Sequence, residues 1–183
     1  MNIKKIAAVV AVVAACASAS TVPDNTYTGF NLSLGFQFWS LDGNKFADQS
    51  FPSIGFGFDI GMPLKTDSTK SMAIGFGGNG WIQSIELRGG KDDTGCLGLL
   101  GPSLNMKNGK FVGGFRLGTS FVVDTEYGEG GTLGFGINSY AGYDLGNHWA
   151  VIFDAHSPVT EYTDRDIDYE VGGIGVGLSY NGF

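Results

Sequence analysis

The chain has 183 residues, and its 11 Lys+Arg against 18 Asp+Glu leave a net charge of −7 with only 16% charged residues. Phosphate backbones are bound by clustered Lys and Arg, so no nucleic-acid partner is expected of so acidic a chain. Glycine is high at 31 residues, yet with 5 prolines and no G-X-Y period collagen is excluded, and 14 Phe, 7 Tyr and 3 Trp exclude a disordered coil. The length suits one domain.

The first element is a targeting segment. Lys4 and Lys5 precede an apolar stretch from Ile6 to Ala15, and Ala17-Ser18-Ala19 offers a small-residue cleavage site. Residues 1–19 are therefore expected to be a signal peptide and 20–183 the mature domain. Val13-Ala14-Ala15-Cys16 loosely resembles a bacterial lipobox, so Cys16 is either lipidated or removed with the signal. Cleavage after Ala19 removes two lysines and no acids. The mature net charge becomes −9, with Cys96 the one remaining cysteine, which excludes an internal disulfide. No later stretch of about 18 apolar residues is present, so no membrane-spanning helix is expected.

From Phe30 onward the apolar residues alternate. Phe30, Leu32, Leu34, Phe36 and Phe38 form the first run, and Ile54, Phe56, Phe58, Ile60 and Met62 the second. Met72, Ile74 and Phe76 open the third, which continues less regularly through Trp81 and Ile85 to Leu87. A weaker fourth lies around Leu97–Met106 and contains Pro102. Phe111, Phe115, Leu117, Phe121 and Val123 make the fifth; Leu133, Phe135, Ile137, Ala141, Tyr143 and Leu145 the sixth. The seventh is Trp149, Val151, Phe153 and Ala155, and the eighth Ile174, Val176, Leu178 and Tyr180. A period of two predicts strands with unlike faces. Short turns at Leu64–Ser71, Lys107–Lys110 and Gly146-Asn147 alternate with longer polar loops at Ser40–Ser50, Arg88–Thr94, Asp124–Thr132 and Ser157–Glu170. The fold class is thus all-β, an eight-stranded antiparallel up-and-down barrel.

Which face is wet decides its surroundings. In a soluble lipocalin- or avidin-type barrel the apolar face points inward and the outer face is rich in charge. Here the face opposite the apolar one is mainly Gly, Ser and Asn. Glycine packs nothing in a strand but suits the narrow interior of eight strands. The apolar face, turned outward in water, would form a girdle far larger than monomers tolerate; in lipid it is at home. Phe30, Phe38, Phe111, Phe121, Tyr143 and Trp149 lie towards strand ends on that face and are expected at the membrane interfaces.

On these alternating segments the chain resembles the small bacterial outer membrane β-barrel proteins, the OmpA transmembrane-domain and OmpX-like group. The resemblance covers the whole mature chain and rests on pattern, not on a sharp motif. It implies a bacterial outer membrane location, insertion by the barrel-assembly machinery, turns on the periplasmic side and long loops outside. Members usually end in an aromatic. Phe183 matches as an assembly-signal candidate, although parity with Tyr180 points it inward unless a bulge intervenes.

Asp59, Arg116 and Asp154 share the inward parity at similar depth, and a charge in a narrow lumen requires a partner, so Arg116 is expected to pair with one or both aspartates. Trp39 and Trp81 fall on the inward parity and are expected to cap or fill the lumen. An enzyme acting on lipid A would need His and Ser on one face, whereas His156 and Ser157 are adjacent, with Glu161 nearby. Asp164, Asp166, Asp168 and Glu170 lack the Gly and Glu positions of an EF-hand and read as a solvated loop or strand extension. Gly75–Gly80 lacks the features of a phosphate loop, and no Cys/His spacing suits zinc, so no catalytic group, metal or cofactor is expected. The leading function is a structural or surface-interaction (adhesin-like) monomer with a largely plugged lumen and an unidentified surface ligand. The alternative is a narrow porin-like channel for ions or small solutes.

Overall fold

The computed structural model describes residues 26–42, 49–67, 69–87, 91–124, 132–158, 162–164 and 167–182. The expected signal segment with Cys16, and the terminal Phe183, lie outside the described residues. The elements are β1 (Tyr27–Asp42), β2 (Gln49–Thr66), β3 (Lys70–Leu87), β4 (Lys91–Asn108), β5 (Phe111–Asp124), β6 (Thr132–Gly146), β7 (Trp149–Pro158), β8 (Tyr162–Asp164) and β9 (Ile167–Asn181). β1 to β7 pair antiparallel in succession, β7 pairs with β9, and β9 returns to β1, so β1–β7 and β9 close an eight-stranded barrel. The short β8 folds back on the start of β9, pairing Tyr162 with Tyr169. Of the acidic positions, Asp164 ends β8 and Asp168 and Glu170 extend β9 beside β1, the strand extension of the two readings, while Asp166 lies outside the described residues.

The register fixes the barrel's geometry. One circuit along the hydrogen-bonding direction runs Tyr27, Gly61, Gly75, Ser103, Arg116, Asn138, His156, Gly173, and re-enters β1 at Gln37, ten residues above its start. Ten residue rises of about 3.3 Å over eight strand spacings of about 4.8 Å tilt the strands by about 41° from the axis. Closure leaves no strand edge along the paired wall, the condition for spanning a membrane with strands.

Parity places the apolar face outward. Leu34, Met62, Phe76, Phe111, Tyr143, Phe153 and Val176 are all exposed, while the core is the lumen. Among the expected interface aromatics, Phe111 stands opposite Tyr143, and Trp149 meets Tyr180 edge-on at 5.5 Å, both at the rim carrying the short turns. Phe30 lies between Phe58 and Tyr180 on the same side. Phe38 and Phe121 lie towards the opposite rim, and Phe121 is half-buried because its ring covers the Cβ position of Gly98.

The strand read from sequence as weak, β4, is an 18-residue strand. Two features hid it. Leu97 and Leu99 point into the lumen, so both faces carry apolar residues there. Pro102 has no N–H, and the β4–β5 ladder lacks its rungs at Gly101 and Pro102 while keeping register on either side.

Three tight turns close one rim. Asp67 Oδ1 accepts from the backbone N–H groups of Thr69 (2.8 Å) and Lys70 (2.6 Å), and Gly109 supplies a positive φ of 60° between Asn108 and Phe111. The third, at Gly146–Trp149, places two non-glycine residues at positive φ: Asn147 at 51° and His148 at 67°.

Candidate functional site in the barrel lumen

The lumen is filled in layers. At mid-depth lies a polar lattice. Arg116 on β5 is 1% exposed, and its guanidinium reaches across the bore to Asp59 on β2. Nε donates to Oδ1 at 3.0 Å and Nη2 to Oδ2 at 2.5 Å, the two-pronged geometry that makes Arg–carboxylate pairs strong and directional. Nη1 donates to Asn138 Oδ1. Asn138 in turn donates through Nδ2 to Asp154 Oδ1 at 2.5 Å and to the Ala155 carbonyl at 3.0 Å. Ser33 Oγ completes the run on Asp154 Oδ2 at 3.4 Å. Five strands are stitched together by side chains, all of them buried.

The three charged residues singled out by parity are thus inward and buried, and of the two aspartates Arg116 pairs with one. Arg116 bonds Asp59 directly and meets Asp154 only through Asn138. Asn138 was invisible as a site residue because an Asn among Gly and Ser on the inward face looks like filler. Tyr140 was missed too, since sequence favoured its neighbours Ala141 and Tyr143 on the lipid face. Its ring lies 5.4 Å from the Arg116 guanidinium carbon, within cation–π range, and its hydroxyl donates to Asn105 Oδ1 at 2.6 Å.

Towards the rim of short turns, Val112, Tyr140, Ala150 and Ile152 form a buried apolar cluster. Tyr27 donates to Asn181 Oδ1 at 3.2 Å, joining the start of β1 to the end of β9, and Lys107 pairs with Asp144 at 3.0 Å. Towards the other rim, Trp81, Leu97 and Leu99 are each 0% exposed. Trp81 lies opposite Gly55 on β2 and Leu97 on β4. The side chain of Trp39 lies outside what is described.

His156 and Ser157 point to opposite sides of β7, His156 inward and buried, Ser157 outward and exposed. Both His156 ring nitrogens lack a hydrogen-bond partner. A base without an orienting partner, facing away from its neighbouring hydroxyl, does not make an activated nucleophile. The third candidate, Glu161, lies outside the described residues. Among the described residues no group of three or more His, Cys, Asp or Glu is placed to hold a metal ion.

No protein-family model and no curated protein matches the sequence. Solved structures do match in shape. Neisserial surface protein A aligns over 86% of this chain and 97% of its own, at 11% identity and a TM-score of 0.52. Ail, the attachment invasion locus protein of Yersinia pestis, aligns over 85% and 99%, at 8% and 0.47. The outer membrane protease OmpT of Escherichia coli aligns over 90% and 100%, at 10% and 0.39. Identities this low speak for the fold and not for the role grafted on it. The outward-facing apolar wall, the closed register and the likeness to Neisserial surface protein A together give the chain the fold of an eight-stranded antiparallel β-barrel.

Proposed function

We propose that the chain is exported and inserted in the bacterial outer membrane as a monomeric barrel whose lumen is closed. Its role is structural or a contact role carried by the loop-side surface, with outer membrane lipid and lipopolysaccharide around the wall. The observation that carries this reading is the Arg116–Asp59 pair with Asn138 and Asp154, buried across the middle of the bore. An open pore would line its bore with hydrated side chains; here Arg116, Asn138 and Asp154 are each at most 1% exposed. An apolar cluster and an apolar layer close the lumen on either side of the lattice. The barrel then has no conduit to offer, and among the described residues His156 and Ser157 face opposite sides of β7.

The test is planar-bilayer recording of the refolded mature protein, its closure checked by heat-modifiable gel migration. Silence over a range of voltages is expected. Discrete conductance steps from the unmodified protein would replace this reading with the narrow channel.

A further inference from the structure

We infer that Trp81 is the water seal of the lumen on the side of the long loops, the residue that keeps the polar lattice below it dry. The inference rests on the closed-lumen reading and adds which residue closes that side. Three observations place the seal. The indole extends from β3 across the bore: a Cβ built on Gly55 of β2 would meet the ring at 3.0 Å, and one on Gly175 of β9 would meet its far edge at 2.6 Å. Glycine at those two positions makes room for the ring. Leu97 and Leu99 complete the layer, and Leu99 reaches β6, where a Cβ on Gly136 would come within 3.0 Å of its methyl. All three side chains have no exposed surface.

The chemistry of the layer fits a seal. An apolar constriction resists filling by water and blocks solutes by dewetting, whereas a polar lattice can be hydrated. Trp81 also leaves its Nε1–H without a partner in this dry layer. A buried indole normally finds an acceptor, and an orphaned donor is destabilising. The large flat ring is thus held at this position for the space it occupies and not for a hydrogen bond. Asn79, two residues before it, is the next lumenal position below it on β3 and is itself buried without a partner.

Cysteine accessibility tests this directly. In a Cys96→Ser background, Asn79→Cys is treated with a water-soluble, membrane-impermeant thiol reagent added on the long-loop side of reconstituted vesicles. With Trp81 present the thiol should stay unmodified; adding Trp81→Ala should make it reactive. Modification with Trp81 in place, or protection that survives its removal in a heat-modifiable barrel, overturns the inference. Should the double substitution not fold, a Trp39→Phe, Trp149→Phe barrel leaves Trp81 as the lone tryptophan. Its emission should be blue-shifted and insensitive to aqueous iodide, and strong quenching would overturn the seal. Conductance by the unmodified protein would sink the closed-lumen reading instead, so the two failures are distinguishable.

Discussion

Arg116 shows what a single residue must do inside eight strands. A guanidinium taken out of water is expensive, and here two carboxylate bonds and an amide oxygen offset that cost. Arg116→Ala leaves Asp59 buried without its cation. The expected loss is about 3–5 kcal/mol of stability, the usual consequence of breaking a buried pair. Replacing Asp59 and Arg116 together by apolar residues of similar bulk should cost less than Arg116→Ala alone, because no orphaned charge remains. Urea unfolding in detergent, followed by tryptophan emission and gel mobility, measures both. Wild-type stability in Arg116→Ala would mean that Asp59 finds water or another partner, and that the lattice is not the closed unit it looks to be.

At the scale of elements, the hairpin β6–β7 carries the strained backbone. Its two-residue turn sets Asn147 and His148 both at positive φ, the arrangement for which Asn-Gly is preferred. A side chain at the second position costs about 1–2 kcal/mol. His148 offers contacts in return: Nδ1 lies 3.1 Å from the Asn181 carbonyl, its ring centroid is 5.6 Å from that of Tyr180, and its own carbonyl accepts from Asn181 N at 2.8 Å. The last of these is backbone and survives substitution. His148→Gly is therefore expected to stabilise the barrel by about 1 kcal/mol, since relief of the left-handed strain outweighs two side-chain contacts at an exposed turn. Destabilisation would show that the imidazole clamps the end of β9 more strongly than the geometry suggests. The same hairpin shows what was legible in the sequence. Gly146-Asn147 announced the turn, and the alternation of Val151, Phe153 and Ala155 gave β7 its two faces. The periodicity of β1, β2, β5 and β9 was equally plain, because small residues on one face let the other be read. β4 was faint because Leu97 and Leu99 break the contrast between faces. The lattice was half legible. Parity finds Asp59, Arg116 and Asp154, but which of them touch depends on the ten-residue stagger, which no local pattern encodes. The reach of Trp81 to Gly175 is hidden for the same reason.

For the whole molecule, orientation in lipid is the claim on which location depends. The wall is long enough: from Phe30 to Phe38 the strand rises eight residues, about 20 Å of depth at a tilt of about 41°, close to the ~25 Å apolar band of transmembrane barrels. Beyond that band β1 continues to Asp42 and pairs with Asp168 of β9, so the sheet extends past the apolar wall on the side of the long loops. Leu34 stands in the middle of β1, opposite Ile54 and Val176, and is 67% exposed. If that exposure is to acyl chains, Leu34→Arg should destabilise the folded barrel by about 2–4 kcal/mol in bilayers, the cost of a cation near the midplane. If it were exposure to water, the same substitution would change stability by no more than about 0.5 kcal/mol. The two outcomes differ by more than the error of a reversible denaturant titration in lipid vesicles. A parallel titration of Asp42→Arg, at the rim of the same strand, gives the internal control. There the cation sits beyond the apolar band, so a large penalty at Leu34 with none at Asp42 places the membrane on the wall. Equal, small effects at both positions would put the apolar face in water and remove the outer membrane from the account altogether.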